Sequence, residues 1–409
     1  MSNTRRASPD SPLRQERYCS SPEFERGLLA NLVARRCEVL ADREDRELIW
    51  FLQYLSHGNG GLKKVANDLL KMRPNHGQNH GAGAGDLDKL LAELCLNPEI
   101  KIEAVARPYF PNLFEMLWEY RQRSIETVRT TCVVTELGQQ VFDTLDYALE
   151  GQCLVLIEGL ARKGKTFATK AWCELHPGKA RYIQVPSTND EIGFYRAIAR
   201  SLGVSINLSF KAQQLRNRVE DVLQRGDLMV VFDEAHYLWP QCNHREALPA
   251  RINWIMTALV NYGVSVALVT TPQFSRAQQL VEKRTHWASE QFIGRIAHYQ
   301  KLPESLNEQD LKAVVRSLLP GGDRKSIETL VAYAQASAKY LAGIETVVRR
   351  ARFLAAKEDQ TKVLFADIKK AIQENAIPSD AAVEKALSAQ IKPHANRLQE
   401  SCRLPARPL

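Results

Sequence analysis

Gly159-Leu160-Ala161-Arg162-Lys163-Gly164-Lys165-Thr166 matches the phosphate-cradling pattern G-x-x-x-x-G-K-[ST] at every fixed position. The apolar run Cys153-Leu-Val-Leu-Ile157 before it reads as a buried strand. The segment Phe167-Ala-Thr-Lys-Ala-Trp172 after it reads as the start of a helix, which is the context such a loop requires. Backbone N–H groups of a loop of this kind converge on phosphates, and the helix N-terminus adds partial positive charge. Lys165 is expected to reach the β- and γ-phosphates, the Thr166 hydroxyl to hold Mg²⁺, and residues 159 to 167, Phe167 included, to line the nucleotide. ATP and Mg²⁺ are therefore the expected ligands.

A second motif turns binding toward hydrolysis. Leu228-Met-Val-Val-Phe-Asp233-Glu234 is an apolar strand that ends in two carboxylates. Asp233 is expected to sit across from Thr166 and order the water shell of Mg²⁺, while Glu234 orients and polarises the attacking water. A solvated turn is the alternative for such a pair taken alone. The next strand, Val264-Ser-Val-Ala-Leu-Val-Thr-Thr271, ends in Thr270 and Thr271, hydroxyls placed to sense a γ-phosphate or the water. They would otherwise be plain polar caps before Pro272.

The 409 residues allow two or three domains, and 44% hydrophobic with 25% charged residues is ordinary globular composition. A net charge of +8 suggests an acidic partner, most often nucleic acid. No apolar stretch reaches the roughly 18 residues that cross a bilayer, and Met-Ser-Asn-Thr-Arg-Arg at the N-terminus is not apolar, so no membrane partner and a cytoplasmic location are expected. The eight cysteines are scattered without a C-x-x-C pair, which argues against a disulfide framework or a zinc ribbon. His236, Cys242 and His244, like His76 and His80, lack a ligand set of recognised spacing and read as solvated loops.

Residues 1–20 read as a flexible basic arm. Residues 21–130 read as a mainly helical region, with apolar spacing as in Leu48-Ile-Trp-Phe-Leu52-Gln-Tyr-Leu55 and a Gly-rich loop at 74–85. Gly60-Gly-Leu-Lys-Lys-Val-Ala-Asn-Asp-Leu-Leu70 is either one helix of a helix-turn-helix or an ordinary amphipathic helix. Over 131–305 strands near 153–158, 180–185, 228–233, 265–270 and 296–302 alternate with helices, which predicts a parallel sheet covered on both faces. Residues 306–378 are helical in pattern and 379–409 form a basic tail.

These motifs together resemble the AAA+ ATPases over about residues 130–378. The implied fold class is α/β: a P-loop AAA+ core with a parallel sheet, a C-terminal helical lid and the N-terminal helical region. Asp233-Glu-Ala-His236, Leu268-Val-Thr-Thr-Pro-Gln-Phe274 and Phe292-Ile-Gly-Arg295-Ile-Ala-His-Tyr-Gln-Lys-Leu-Pro303 are similar to the branch of transposition ATPases that contains MuB and TnsC, with ExeA-like proteins. The resemblance implies an ATPase that binds duplex DNA in its ATP form, assembles as a homo-oligomeric ring or helical filament, and recruits or regulates a transposase. It makes Arg295 the arginine-finger candidate, with a surface pair to Glu290 as its alternative and Arg284 as a weaker choice. The family's second sensor arginine is replaced here by Glu345 or Thr346, with Arg349 or Arg350 one turn later. Arg196 and Arg200 are candidates for the DNA backbone. The Asp-Glu-Ala-His string also spells a helicase box, but one P-loop core and a short helical lid leave no room for the second core such helicases need. Two further readings remain: a signalling or defence switch whose N-terminal helices sense a protein, and an ExeA-like assembly ATPase at an envelope complex.

Overall fold

The computed structural model describes residues 28–72, 84–97, 112–240, 248–337 and 339–375. The basic arm, most of the Gly-rich loop with His76 and His80, Cys242, His244 and the basic tail lie outside the described residues. The chain divides into two units: residues 1–132, 141–158 and 169–301, and residues 133–140, 159–168 and 302–409.

The first unit is built on five parallel strands: β1 (Leu154–Glu158), β2 (Ala180–Gln184), β3 (Met229–Asp233), β4 (Val266–Thr270) and β5 (Ile296–Lys301). Their order in the sheet is β2-β3-β4-β1-β5. β1, β3 and β4 are buried at every position, which is why they read in sequence as unbroken apolar runs without alternation. The register pairs Glu158 with Thr270 and Gln184 with Asp233, so these residues share the C-terminal end of the sheet. The expectation of a sheet covered on both faces fails at β5, where Ala297, His298, Tyr299 and Lys301 are exposed. An outer strand made of polar residues tolerates solvent on either face.

Helices α1 (Ala30–Glu38), α2 (Arg43–Ser56), α3 (Gly61–Met72), α4 (Ala84–Leu96) and α5 (Leu113–Thr131) precede the sheet and share its hydrophobic core. α2 starts at Asp42, whose side chain accepts the Glu44 N–H at 2.8 Å. α3 buries Leu62, Val65, Ala66 and Leu69, the i, i+3, i+4, i+7 stripe of an amphipathic helix. α6 (Glu136–Gly151) leads into β1, and α7 (Lys165–Leu175), α8 (Glu191–Leu202) and α9 (Ala212–Gly226) run between the strands. α6 and α7 each begin in the second unit and continue into the first. The helical run at Ala250–Tyr262 passes from α through a π turn into a 3₁₀ turn, and residues 273–285 and 290–293 are the remaining helices among the described residues of this unit.

Buried polar groups fix the N-terminal helices to the sheet. Arg181 on β2 is fully buried, and its guanidinium donates to the carbonyls of Pro177, Ala180 and Trp50 and to Gln53 Oε1. Burial pushes its pKa down to about 10, so it stays charged at neutral pH. Trp50 Nε1 donates to Gly226 O at 2.7 Å, and Glu47 accepts from Arg121 and, at 3.0 Å, from Lys179. Gly226 is glycine because a Cβ there would lie 2.7 Å from Trp50 Cζ2.

In the second unit residues 308–318, 324–336, 340–357 and 365–375 are helices. Asn307 and Asp323 cap the first two through backbone N–H groups. Asn307 also donates to Glu136, whose own N–H reaches Asp310 at 2.9 Å. Among the described residues no helix is long and apolar enough to cross a membrane. Cys37, Cys95, Cys132, Cys153 and Cys173 carry free thiols.

Candidate nucleotide site

The glycine loop follows β1 in the chain and belongs to the second unit. Arg162 (φ 67°) and Gly164 (φ 95°) take left-handed backbone angles, which turn successive N–H groups toward one side, as an anion-binding nest does. Side chains are excluded at both fixed glycines: a Cβ would lie 2.9 Å from Leu302 Cβ at Gly159 and 2.8 Å from Leu341 Cδ1 at Gly164. Lys165 heads helix α7, and its Nζ donates to Leu160 O at 2.7 Å, which holds the ammonium over its own loop. Leu160, Ala161, Arg162, Thr166 and Phe167 are exposed, so the Thr166 hydroxyl is accessible. Lys163 is different. Its side chain is only 1% exposed, donates to Glu304 O and lies over the Tyr340 ring, so Lys163 offers the loop its backbone rather than its charge.

The candidate carboxylates lie in the first unit. Asp233 ends β3 and is buried, with Oδ1 accepting from the Glu234 N–H at 2.8 Å and Oδ2 from the Tyr182 hydroxyl at 2.9 Å. Each oxygen keeps a second lone pair. Burial, reinforced by Asp233, pushes the Tyr182 phenol up, so it remains a neutral donor. Glu234 leaves the strand with φ 54°, a strained angle for a non-glycine residue, and opens the 3₁₀ turn Ala235–Leu238. That backbone turn separates the neighbouring carboxylates: Asp233 points into the protein, while Glu234 is half-exposed, 3.4 Å from His236 Nδ1.

On the adjacent strand Thr270 is buried and its hydroxyl reaches Thr271 O at 3.3 Å, whereas Thr271 Oγ1 is buried with no hydrogen-bond partner among the described residues. Glu158, which sequence reasoning passed over, is buried at the end of β1 and accepts from Ser275 at 2.6 Å and Tyr299 at 3.2 Å. The structure therefore gathers Asp233, Glu234 and Thr270 at the C-terminal ends of neighbouring strands. Tyr182 was also passed over; its only sequence signal is a tyrosine on the strand that pairs with β3.

Arg295 is half-buried just before β5 and does not pair with Glu290; it donates to Asn261 Oδ1 at 3.2 Å and Gln291 O at 2.6 Å. Arg284 is exposed. Arg349 pairs with Glu345 and Arg350 with Glu374, so both later sensor candidates are engaged within their own unit. Arg200 is exposed, and Arg196 Nε is buried without a partner among the described residues. Among the described residues no three His, Cys, Asp or Glu side chains gather as a metal cluster. Asp233, a buried carboxylate with lone pairs to spare, has the chemistry to accept from the water shell of an Mg²⁺ held largely by phosphates and water.

Residues 148–278 match the family described as AAA domain. No curated protein matches the sequence. Similar solved structures include the Aeropyrum pernix ORC2 protein in ADPNP and ADP complexes, at 12% identity and TM-score 0.41 over 68% of this chain and 69% of that one. Cdc6p from Pyrobaculum aerophilum aligns at 13% identity and TM-score 0.42 over 66% and 86% of the two chains. The Thermotoga maritima RuvB Holliday junction branch migration motor aligns at 13% and 0.38 over 64% and 76%. With its parallel sheet, glycine loop and flanking helical regions, the chain has a P-loop AAA+ fold, and residues 148–278 are similar to an AAA domain.

Proposed function

We propose that this chain is a Mg²⁺-dependent ATPase whose ATP-bound form assembles on duplex DNA and recruits or regulates a transposase or a comparable DNA-processing partner. The observation that carries the ATPase reading is the division of labour between Asp233, buried and doubly hydrogen-bonded, and Glu234, turned out by a left-handed backbone angle. Loop N–H groups and Lys165 would hold the phosphates, and Thr166 and Asp233 would hold Mg²⁺. Bound there, Mg²⁺ would supply neutralisation of charge on the β- and γ-phosphates. Glu234 accepts a hydrogen bond from the attacking water and takes up its proton, Thr270 and Thr271 sense the γ-phosphate, and Arg295 of a neighbouring protomer stabilises the transition-state charge. Hydrolysis then depends on assembly.

The DNA part rests on the net charge of +8, and the transposase part on the motif resemblance. Duplex binding is backbone-directed, through residues such as Arg196 and Arg200, and falls steeply with salt. In this reading residues 131–305 are the motor, 306–378 the lid and 21–130 the region that meets partners.

ATP turnover by the purified protein, with and without random-sequence duplex DNA at low and high salt, tests the proposal. Salt-sensitive stimulation supports it, as do ATP-dependent rings or filaments of Glu234→Gln on DNA in electron micrographs. Glu234→Gln lowers turnover by about 10²- to 10⁴-fold with nucleotide binding kept, and Lys165→Ala abolishes binding. One observation favours the protein-sensing switch instead: Arg181, tied to α2, and Tyr182, tied to Asp233, are consecutive on β2. Turnover indifferent to DNA would move the reading there.

A further inference from the structure

Asp233 is a buried carboxylate whose orientation is set by two donors, one from the turn that follows its own strand and one from β2. The Glu234 N–H belongs to its own chain segment, but the Tyr182 hydroxyl comes from β2, where Tyr182 stands in register with Val231, two positions before Asp233. The diagonal between those positions lets a rigid ring reach along the sheet to the strand's last residue. The strand around it is anchored by the backbone carbonyl of Tyr182, which accepts from Ser201 Oγ at 2.5 Å, and Lys170 Nζ lies 5.0 Å from the ring centroid. A phenol here donates a hydrogen bond to Oδ2 without bringing charge, and it leaves a second lone pair on each Asp233 oxygen for water.

We propose that Tyr182 is a positioning residue for the metal: its hydroxyl fixes the Asp233 carboxylate in the orientation that accepts from the water shell of Mg²⁺. This rests on the ATPase reading above and adds a residue that no motif contains. Groups that orient a metal's carboxylate from outside its ligand set characteristically alter metal affinity by about 10- to 100-fold when removed. A hydrogen bond that served only to satisfy a buried carboxylate would affect stability and leave the metal requirement where it was.

The test is Tyr182→Phe, which keeps the ring and deletes only the donor. Binding of a fluorescent ATP analogue is titrated with Mg²⁺, and separately measured in EDTA; Mn²⁺ binding in the presence of ATP is followed by electron paramagnetic resonance. We expect the Mg²⁺ midpoint and the Mn²⁺ dissociation constant to rise at least 10-fold, with binding in EDTA unchanged and turnover at saturating Mg²⁺ largely restored. In an Asp233→Asn background the same substitution should shift neither value further, since its effect passes through that carboxylate. Unshifted metal midpoints in a folded Tyr182→Phe protein would overturn the proposal, as would an equal shift in the Asp233→Asn background. A Tyr182→Phe protein that fails to fold, as seen by circular dichroism, would also overturn it, by making the hydroxyl structural. Wild-type protein that binds the analogue with no metal dependence would remove the ATPase reading and this inference together, a result distinct from the others.

Discussion

Along β2, one edge of the sheet, the strand is packed under α2: Arg181 is buried, four acceptors take its guanidinium, and the neighbouring Trp50 and Gln53 come from a helix far back in the chain. Along β5, the other edge, Ala297, His298, Tyr299 and Lys301 face solvent and Arg295 stands just before the strand. An unpaired strand edge is a template for association unless it is covered or made polar. Here one edge is packed under the chain's own α2 and the other is polar, so neither invites strand pairing; what sets the second apart is Arg295, the proposed finger, beside it. Stability should therefore be concentrated at β2, and assembly-dependent turnover at β5.

The sharpest way to break that contrast is Arg295→Ala. It should lower turnover of the assembled protein by about 10³-fold while nucleotide binding by isolated subunits and folding stability hold, checked by turnover as a function of protein concentration. Unchanged turnover would take Arg295 out of the finger role and the β5 edge out of the assembly.

On the covered edge, Arg181→Ala leaves the carbonyls of Pro177 and Trp50 and the Gln53 amide oxygen without their donor. We expect a loss of about 3–5 kcal/mol in urea denaturation, and a loss below about 1 kcal/mol would mean that apolar contacts alone hold the N-terminal helices. Gly226→Ala drives a methyl into Trp50 and should cost about 1–3 kcal/mol, read as a lower denaturation midpoint with unchanged slope.

The smallest effect is on pH. Burial lowers the pKa of His57, which lies by the same edge with its Nε2 3.0 Å from Leu28 O, and of His176, stacked on Trp172, below the ordinary 6.5. The unfolded chain takes up protons first on acidification, so the stability these neutral rings contribute is complete above 6.5 and declines below it. The denaturation midpoint should fall modestly from about pH 7 to about pH 5, and less so in His57→Gln. A midpoint flat across that range would mean that neither ring is held neutral.

Much of the fold was legible because its signals are local. Fully buried parallel strands read as short apolar runs, and each of the five expected strands is present to within a residue or two. The glycine loop is legible for the same reason, since left-handed angles at Gly164 and close approach at Gly159 leave little choice of residue. Arg181 was not legible as a core residue: an arginine beside apolar neighbours looks like a strand's solvent face until α2 arrives to bury it. Tyr182 and Glu158 were missed on similar grounds, because a hydrogen bond between strands has no spacing in sequence.

The sequence by itself determined a phosphate-binding loop after one strand, two carboxylates after another, and the α/β alternation that places strands in parallel, because each depends on residues adjacent in the chain. Only the tertiary structure decided that Lys163 turns to Glu304 and Tyr340, that Asp233 is held by Tyr182 while Glu234 is half-exposed, and that Arg181 on β2 is buried against α2 while most of β5 is exposed. Those outcomes depend on which distant groups are close enough to accept a proton or exclude water, and that is set when the chain packs.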